Sequence, residues 1–162
     1  MFGVETLRVQ ADLTQKDQVE RIIAEVLAKW GRIDILVNNA GGDIAAAYGK
    51  PDPNDGVFIK DEDVRAVLDR NLYSCILCCQ HAGRAMIAAG EGGRIINLSS
   101  VDSFKVADDG ARAIYSAAKA GAHALAAAQA AVLTPHRAAD CRRQSLHPDA
   151  GAGVCANRAP SA

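Results

Sequence analysis

The feature that most limits what this chain can fold into is the run Ile33-Asp34-Ile35-Leu36-Val37, apolar but for one residue, which halts at Asn38-Asn39-Ala40-Gly41-Gly42. A strand with one wet face alternates polar and apolar residues, whereas an unalternating apolar run is what a parallel sheet covered on both faces requires. A second such run, Arg94-Ile95-Ile96-Asn97-Leu98, delivers Ser99-Ser100 at its end. Upstream, Val19, Ile22, Ile23, Val26, Leu27 and Trp30 recur at helical spacing and Gly31 follows as a stop. Thr14, with Asp17 three residues on, predicts the start of that helix. Before it, Thr6 to Ala11 alternates weakly and runs into Asp12-Leu13-Thr14, which predicts a strand entering a turn.

Pro51-Asp52-Pro53-Asn54-Asp55-Gly56 has turn chemistry throughout, and acidic Asp61-Glu62-Asp63 opens a second helix at the end where negative charge suits the dipole. This helix is expected to reach Ala89. From Leu72 to Cys79 it is apolar nearly all round, so two partners are expected: its own sheet on one side and another subunit on the other. The third helix, Tyr115 to about Leu133, is mostly alanine, which either admits a close helix neighbour or reflects helix propensity alone. After Pro135 no period persists, and residues 136–162 are expected to form an irregular or disordered tail. Strand and helix alternate throughout, the order of an α/β fold with a parallel sheet.

A chain of 162 residues, 49% apolar and with a net charge of −1, is the size of one soluble domain. Nothing in it suggests nucleic acid or a membrane, no leader pattern opens it, and a cytoplasmic address is expected. Five cysteines, three of them at Cys75, Cys78 and Cys79, do not make a disulfide framework. With His81 they have a metal-like look, but no second ligand pair stands at a matching spacing, so they are read as buried helix residues and no metal is expected. His123, His136 and His147 are read as surface or tail residues. Gly151-x-Gly153 is no phosphate loop, because no strand precedes it and no helix follows.

Three pieces remain: the Asn38-Asn39-Ala40-Gly41 turn, a strand-end serine, and Tyr115-x-x-x-Lys119 on a helix. Moving a hydride to or from a carbonyl carbon leaves a proton to place on its oxygen, which calls for an acid/base working near neutral pH. A phenol ordinarily titrates near 10, and an ammonium one helical turn away favours its anion, each unit being worth roughly 1.4 kcal/mol. From about Leu7 to Leu133 the set resembles the short-chain dehydrogenase/reductase family. The resemblance implies a partial Rossmann-like doubly wound parallel sheet over residues 1–135, and an NAD(P)-dependent oxidoreductase acting on a small alcohol or carbonyl substrate. Tyr115 would be the acid/base and Lys119 its electrostatic partner, which also reaches the nicotinamide ribose. Ser100, or in its place Ser103 or Ser99, would hydrogen-bond the substrate oxygen. Asn71 would hold a water that links the lysine to solvent. Asp12 and Leu13 would meet the adenine, and Asn38, Ala40 and Gly41 would pass under the nucleoside. For Asn38, tying neighbouring strands together is a further role that can hold at once. Homo-oligomers through helices 61–89 and 115–133 are expected.

The resemblance also marks what is missing. The family opens with a strand, a glycine-rich loop and a helix that carries the pyrophosphate, and neither these nor the second strand is here. In the order 3-2-1-4-5-6, the strand at Leu7 to Ala11 would then lack its neighbour and the strand at Ile33 would become an edge. Arg143-Gln144-Ser145-Leu146-His147-Pro148-Asp149 stands where a strand and a Pro-Gly turn are expected, so the chain is read as a gene fragment whose tail is out of frame. The alternative function is an inactive fragment or interaction module that binds no nucleotide. An epimerase or dehydratase relative fits the turn and the serine less well. Substrate identity and the choice of NAD or NADP stay open.

Overall fold

The computed structural model describes residues 3–90, 92–105, 107, 110–133 and 154–158. Its elements run α1 (Lys16–Trp30), β1 (Ile35–Asn38), α2 (Asp61–Leu68), a π turn (Asp69–Tyr73), α3 (Ser74–Ala89), β2 (Arg94–Leu98), a 3-10 turn (Val101–Ser103), α4 (Ala113–Leu133) and β3 (Val154–Arg158). The sheet order is β1-β2-β3, with β1 parallel to β2 and β3 antiparallel to it. Ile35 faces Arg94 and Asn38 faces Asn97 across the parallel pair.

α1 ends where its sequence says it should. Gly31 sits in the left-handed region at φ 74° and its N–H donates to the Leu27 carbonyl, a conformation that costs a side chain-bearing residue more. Its start differs from expectation. Gln15 is the cap residue, while the Thr14 amide and hydroxyl both turn back to Asp12 Oδ1, at 2.9 and 2.8 Å. A short side chain that satisfies its own turn is not available to the helix.

The strand expected at Thr6 to Ala11 does not form; residues 3–12 have no regular structure. A strand is defined by its neighbour, and among the described residues none lies beside this segment. β1 is accordingly an edge, as the resemblance implied. Nor is β1 covered on both faces. Helices α1, α3 and α4 lie on one side, whereas Ile35 (54% exposed) and Val37 (53%) point the other way into solvent. The apolar run encodes a second layer that the described residues do not supply.

The core therefore lies between the sheet and one helix layer. Met86, Ile95, Cys75, Cys79 and Ala122 are buried together with Leu36, Leu72 and Leu125 packed against them. A second cluster of Val19, Leu77 and Cys78 joins α1 to α3. Each fully buried large aliphatic here contributes about 1.5–3 kcal/mol. The second helix does reach Ala89, through a continuous α–π–α rod, and both of its apolar flanks are met inside the chain. α1 covers one and α4 the other, where the expectation had placed a second subunit. α4 approaches closely because its inward residues are small: a Cβ on Gly121 would lie 3.0 Å from Leu72, and Ala118, Ala122 and Ala126 are buried.

The tail reading, with His136, His147 and the Gly151-x-Gly153 stretch, falls outside the described residues, except that residues 154–158 form β3. Among the described residues no helix is long and apolar enough to cross a membrane.

Candidate functional site

The site is assembled where the C-terminal ends of β1 and β2 meet the rod and α4. The π turn at Asp69–Tyr73 inserts an extra residue per turn and places Asn71 at its middle, 2% exposed. Asn71 Oδ1 accepts from the Gly42 N–H at 2.8 Å, and its Nδ2 donates to the Gly42 and Val67 carbonyls, each at 2.8 Å. The turn after β1 is thereby clamped to the rod. Gly41 must be bare for this: a Cβ there, at φ 149°, would lie 2.5 Å from Asn71 Oδ1 and 3.5 Å from Lys119 Nζ. Asn71, Gly41 and Lys119 thus share one small volume.

Lys119 is 6% exposed, and burial pushes its ammonium below the usual lysine value. Its Nζ donates to the Leu98 carbonyl at the end of β2, 3.1 Å away, and stands 5.7 Å from the ring centre of Tyr115, one turn earlier on α4. The sequence spacing alone put these two on one helix face, and the structure brings them together.

The three serines differ in what holds them. Ser99 Oγ donates to the Lys119 carbonyl at 3.2 Å and pairs with Ser103 Oγ at 3.0 Å. Ser103 also donates to the Ser100 carbonyl. Ser100 Oγ caps the 3-10 turn, accepting from the Asp102 N–H at 3.2 Å and itself donating to Asp102 Oδ2 over 3.4 Å. Asp102 in turn pairs with Arg112 at 3.2 Å. Asp102 thereby links Ser100, at the end of β2, to Arg112, just before α4.

Asn38 ties the strands. Its Nδ2 donates to Asn97 Oδ1 at 2.7 Å and lies 3.1 Å from Cys79 Sγ. The Cys75 and Cys79 thiols each reach the same Asn97 oxygen at 3.4 Å. All three helix cysteines are buried. Donation to Cys79 together with burial raises the Cys75 thiol, and burial pushes Cys78 up to about 11. Asn97 was missed by the sequence reading, although a lone amide inside an apolar strand was its signal. His123 has a partner the sequence did not disclose, the Phe104 ring, edge-on at 5.5 Å between centres.

Two adjoining concavities open beside this arrangement. A cleft of about 400 Å³ is bordered by Asp12, Leu13, Ala40 and Gly41, and by Arg70, which the sequence reading also missed. A narrower space of about 170 Å³ runs from Leu13 and Asn38 to Asn71 and Lys119. Asp12, Leu13, Asn38, Ala40 and Gly41, scattered over thirty positions of sequence, therefore line connected ground. The Thr14 amide and hydroxyl hold the Asp12 carboxyl below its usual range. Arg70 donates to the Ile44 carbonyl at 2.9 Å and lies 5.7 Å over the Tyr48 ring.

The family model for short chain dehydrogenase matches residues 2–142. The chain is 37% identical over 128 residues to a 1,6-dihydroxycyclohexa-2,4-diene-1-carboxylate dehydrogenase of Pseudomonas putida, an alignment covering 78% of this chain and 43% of that protein. It is 38% identical over 119 residues to a 3-oxoacyl-[acyl-carrier-protein] reductase of Synechocystis sp., covering 74% and 44%. Among solved structures, a short-chain type dehydrogenase/reductase from Mycobacterium marinum superposes with a TM-score of 0.74 at 30% identity, over 83% of this chain and 50% of that one. The chain spans a little under half the length of the curated relatives it matches.

Proposed function

This chain belongs to the short-chain dehydrogenase family, and from that premise we propose that it carries the acid/base half of an NAD(P)-dependent oxidoreductase acting on an alcohol or carbonyl. The supporting observation is the buried Lys119 ammonium, fixed by Leu98 and standing 5.7 Å from the Tyr115 ring. A fixed ammonium beside the ring is the neighbour a tyrosine calls for when it is to hand over its proton. Tyr115 passes that proton to or from the substrate oxygen. Ser100 offers its hydroxyl to the same oxygen, the least committed of the three serines because its own proton has only the long 3.4 Å contact with Asp102. Asn71 is a positioning residue: it holds the Gly41–Gly42 turn against Lys119 and keeps the lysine's surroundings fixed.

The residues present fit the nucleoside part of the cofactor. Asp12, kept ionised by Thr14, offers an acceptor to the adenine amino group beside Leu13, while Ala40 and the bare Gly41 leave room for the nucleoside. Lys119 reaches the ribose on the nicotinamide side. A bound nicotinamide dinucleotide supplies the hydride donor or acceptor. Residues 1–135 form the body that presents these groups, in the cytoplasm. Ala117, Ala124 and Ala128 on the outer face of α4 stay exposed, a surface suited to a helix of a second copy.

Titrating the purified chain with NADH and, separately, NADPH while following cofactor fluorescence tests the reading. Saturable enhancement supports it and names the dinucleotide; none at millimolar cofactor sinks it in favour of a module that binds no nucleotide.

A further inference from the structure

The cysteines of α3 take no part in the chemistry proposed above, yet two of them sit in a polar cluster inside the core. Cys75 and Cys79 lie one helical turn apart, both buried, and each sulfur is 3.4 Å from Asn97 Oδ1 on β2. Cys79 is the better supplied with donors. Cys75 donates to its sulfur, Asn38 Nδ2 of β1 stands 3.1 Å away, and the Gln129 side chain of α4 hydrogen-bonds it as well. Donors aimed at a sulfur favour its anion. The Cys75 hydrogen bond above all, with Asn97, Gln129 and Asn38 adding to it against burial, holds the Cys79 thiol below its ordinary value.

The amides around this sulfur are not used up. Among the described residues, Asn97 Nδ2, on a residue 2% exposed, and Gln129 Oε1 are buried without a partner. One is a donor and the other an acceptor, and both belong to side chains that touch Cys79. A thiol, weak as donor and as acceptor, serves neither well. An S–OH group serves both: its oxygen accepts from an N–H and its hydrogen goes to a carbonyl. A small oxidant also has a way in, because Asn38 and Cys75, each in contact with Cys79, line the space of about 170 Å³. Cys78 lines it too, but burial pushes its thiol up to about 11, which leaves it protonated and inert at neutral pH.

We infer that Cys79 is a site of reversible oxidation to sulfenic acid by hydroperoxides, with Asn97 and Gln129 holding the S–OH that forms. The Cys79 sulfur attacks one oxygen of hydrogen peroxide. The S–O bond forms as the O–O bond breaks, and the departing hydroxide takes the thiol proton and leaves as water. Sulfur gives up the two electrons that the peroxide gains. The product does not pass on to a disulfide with Cys75, since Cβ atoms four residues apart on a helix are about 5–6 Å apart and a disulfide needs about 3.5–4.5 Å. None of this depends on whether the chain binds a dinucleotide.

Dimedone, which labels sulfenic acid, tests the site. The native chain, reduced and then freed of reductant, is treated with a small excess of hydrogen peroxide and unfolded in urea containing dimedone. All three helix thiols fall on one tryptic peptide, residues 71–84, and fragmentation places the label. It should sit on Cys79 and be absent when reductant is added before trapping. In Gln129→Leu, with folding checked by thermal unfolding, the label should form about threefold more slowly: losing one hydrogen bond leaves about tenfold less thiolate but makes the remainder more nucleophilic. Label on Cys75 or Cys78 instead, none on the peptide, a Cys75–Cys79 disulfide in its place, or an unchanged rate in folded Gln129→Leu overturns the site.

Discussion

Asn71 and Gly42 hold each other at two points: the asparagine oxygen takes the glycine N–H and the asparagine amide gives a proton to the glycine carbonyl, both at 2.8 Å. A side chain on the rod thus fixes a loop twenty-nine residues away, and the loop is the one that borders the cleft of about 400 Å³. The pairing is buried, so breaking half of it strands a polar group away from water.

Asn71→Asp keeps the acceptor and removes both donations, to Gly42 and to Val67. It also brings a carboxylate into a site that is 2% exposed. Urea unfolding should show a loss of roughly 1–3 kcal/mol, with weaker dinucleotide binding as the turn loosens. An unchanged midpoint would mean that the turn is held by something other than this side chain.

Gly41→Ala places a methyl where Asn71 Oδ1 stands at 2.5 Å, with backbone at φ 149°. The turn must move, and with it the relation of Asn71 to Lys119. Dinucleotide binding should fall at least about tenfold and stability by about 1 kcal/mol or more. Gly49→Ala is the control, because nothing lies within 4 Å of its Cβ position. Equal behaviour of the two variants would remove the steric argument.

What the sequence disclosed was local and what it hid was pairing. Gly31 stops α1 because one residue's dihedral freedom decides the matter, and Tyr115 meets Lys119 because helical spacing guarantees it. Leu7 to Ala11 carries strand-like residues yet stays irregular, since strand formation depends on a neighbour that no local pattern reports. β3 was invisible for the converse reason: residues 154–158 have a partner in β2 but no period of their own. The π turn was hidden because one extra residue within twenty-nine barely disturbs a helical pattern, yet it places the amide of Asn71. Asn38 as a strand tie was one of two readings left open, and the Asn97 contact shows that the tie exists.

Lys119 carries the dependence on pH. Burial holds its ammonium below the ordinary lysine value, so between that lowered value and about 10.4 the unfolded chain binds more protons than the native one. The penalty on the native state is complete below the lowered value and is released as pH rises through the window. Lys119→Met removes the titration. The stability of the native chain minus that of the variant should climb as pH rises through the window below about 10.4, measured by urea unfolding with reductant present. A flat difference would show that the folded lysine keeps its ordinary affinity for the proton.

The one-sided sheet makes the last prediction, because neighbouring strands offer the same kind of residue to opposite environments. Ile95 is 2% exposed and packs on Cys75, Cys79 and Met86, so Ile95→Ala should cost about 2–5 kcal/mol. Val37, 53% exposed on the far face, has little packing to lose, and Val37→Thr should change stability by no more than about 0.5 kcal/mol. Comparable costs would mean that the far face is covered in solution. Repeating the unfolding across a hundredfold range of protein concentration then tells which molecule covers it: a midpoint for the native chain that rises with concentration, and stops rising in Val37→Thr, identifies a second copy of this chain, since only self-association makes apparent stability depend on protomer concentration.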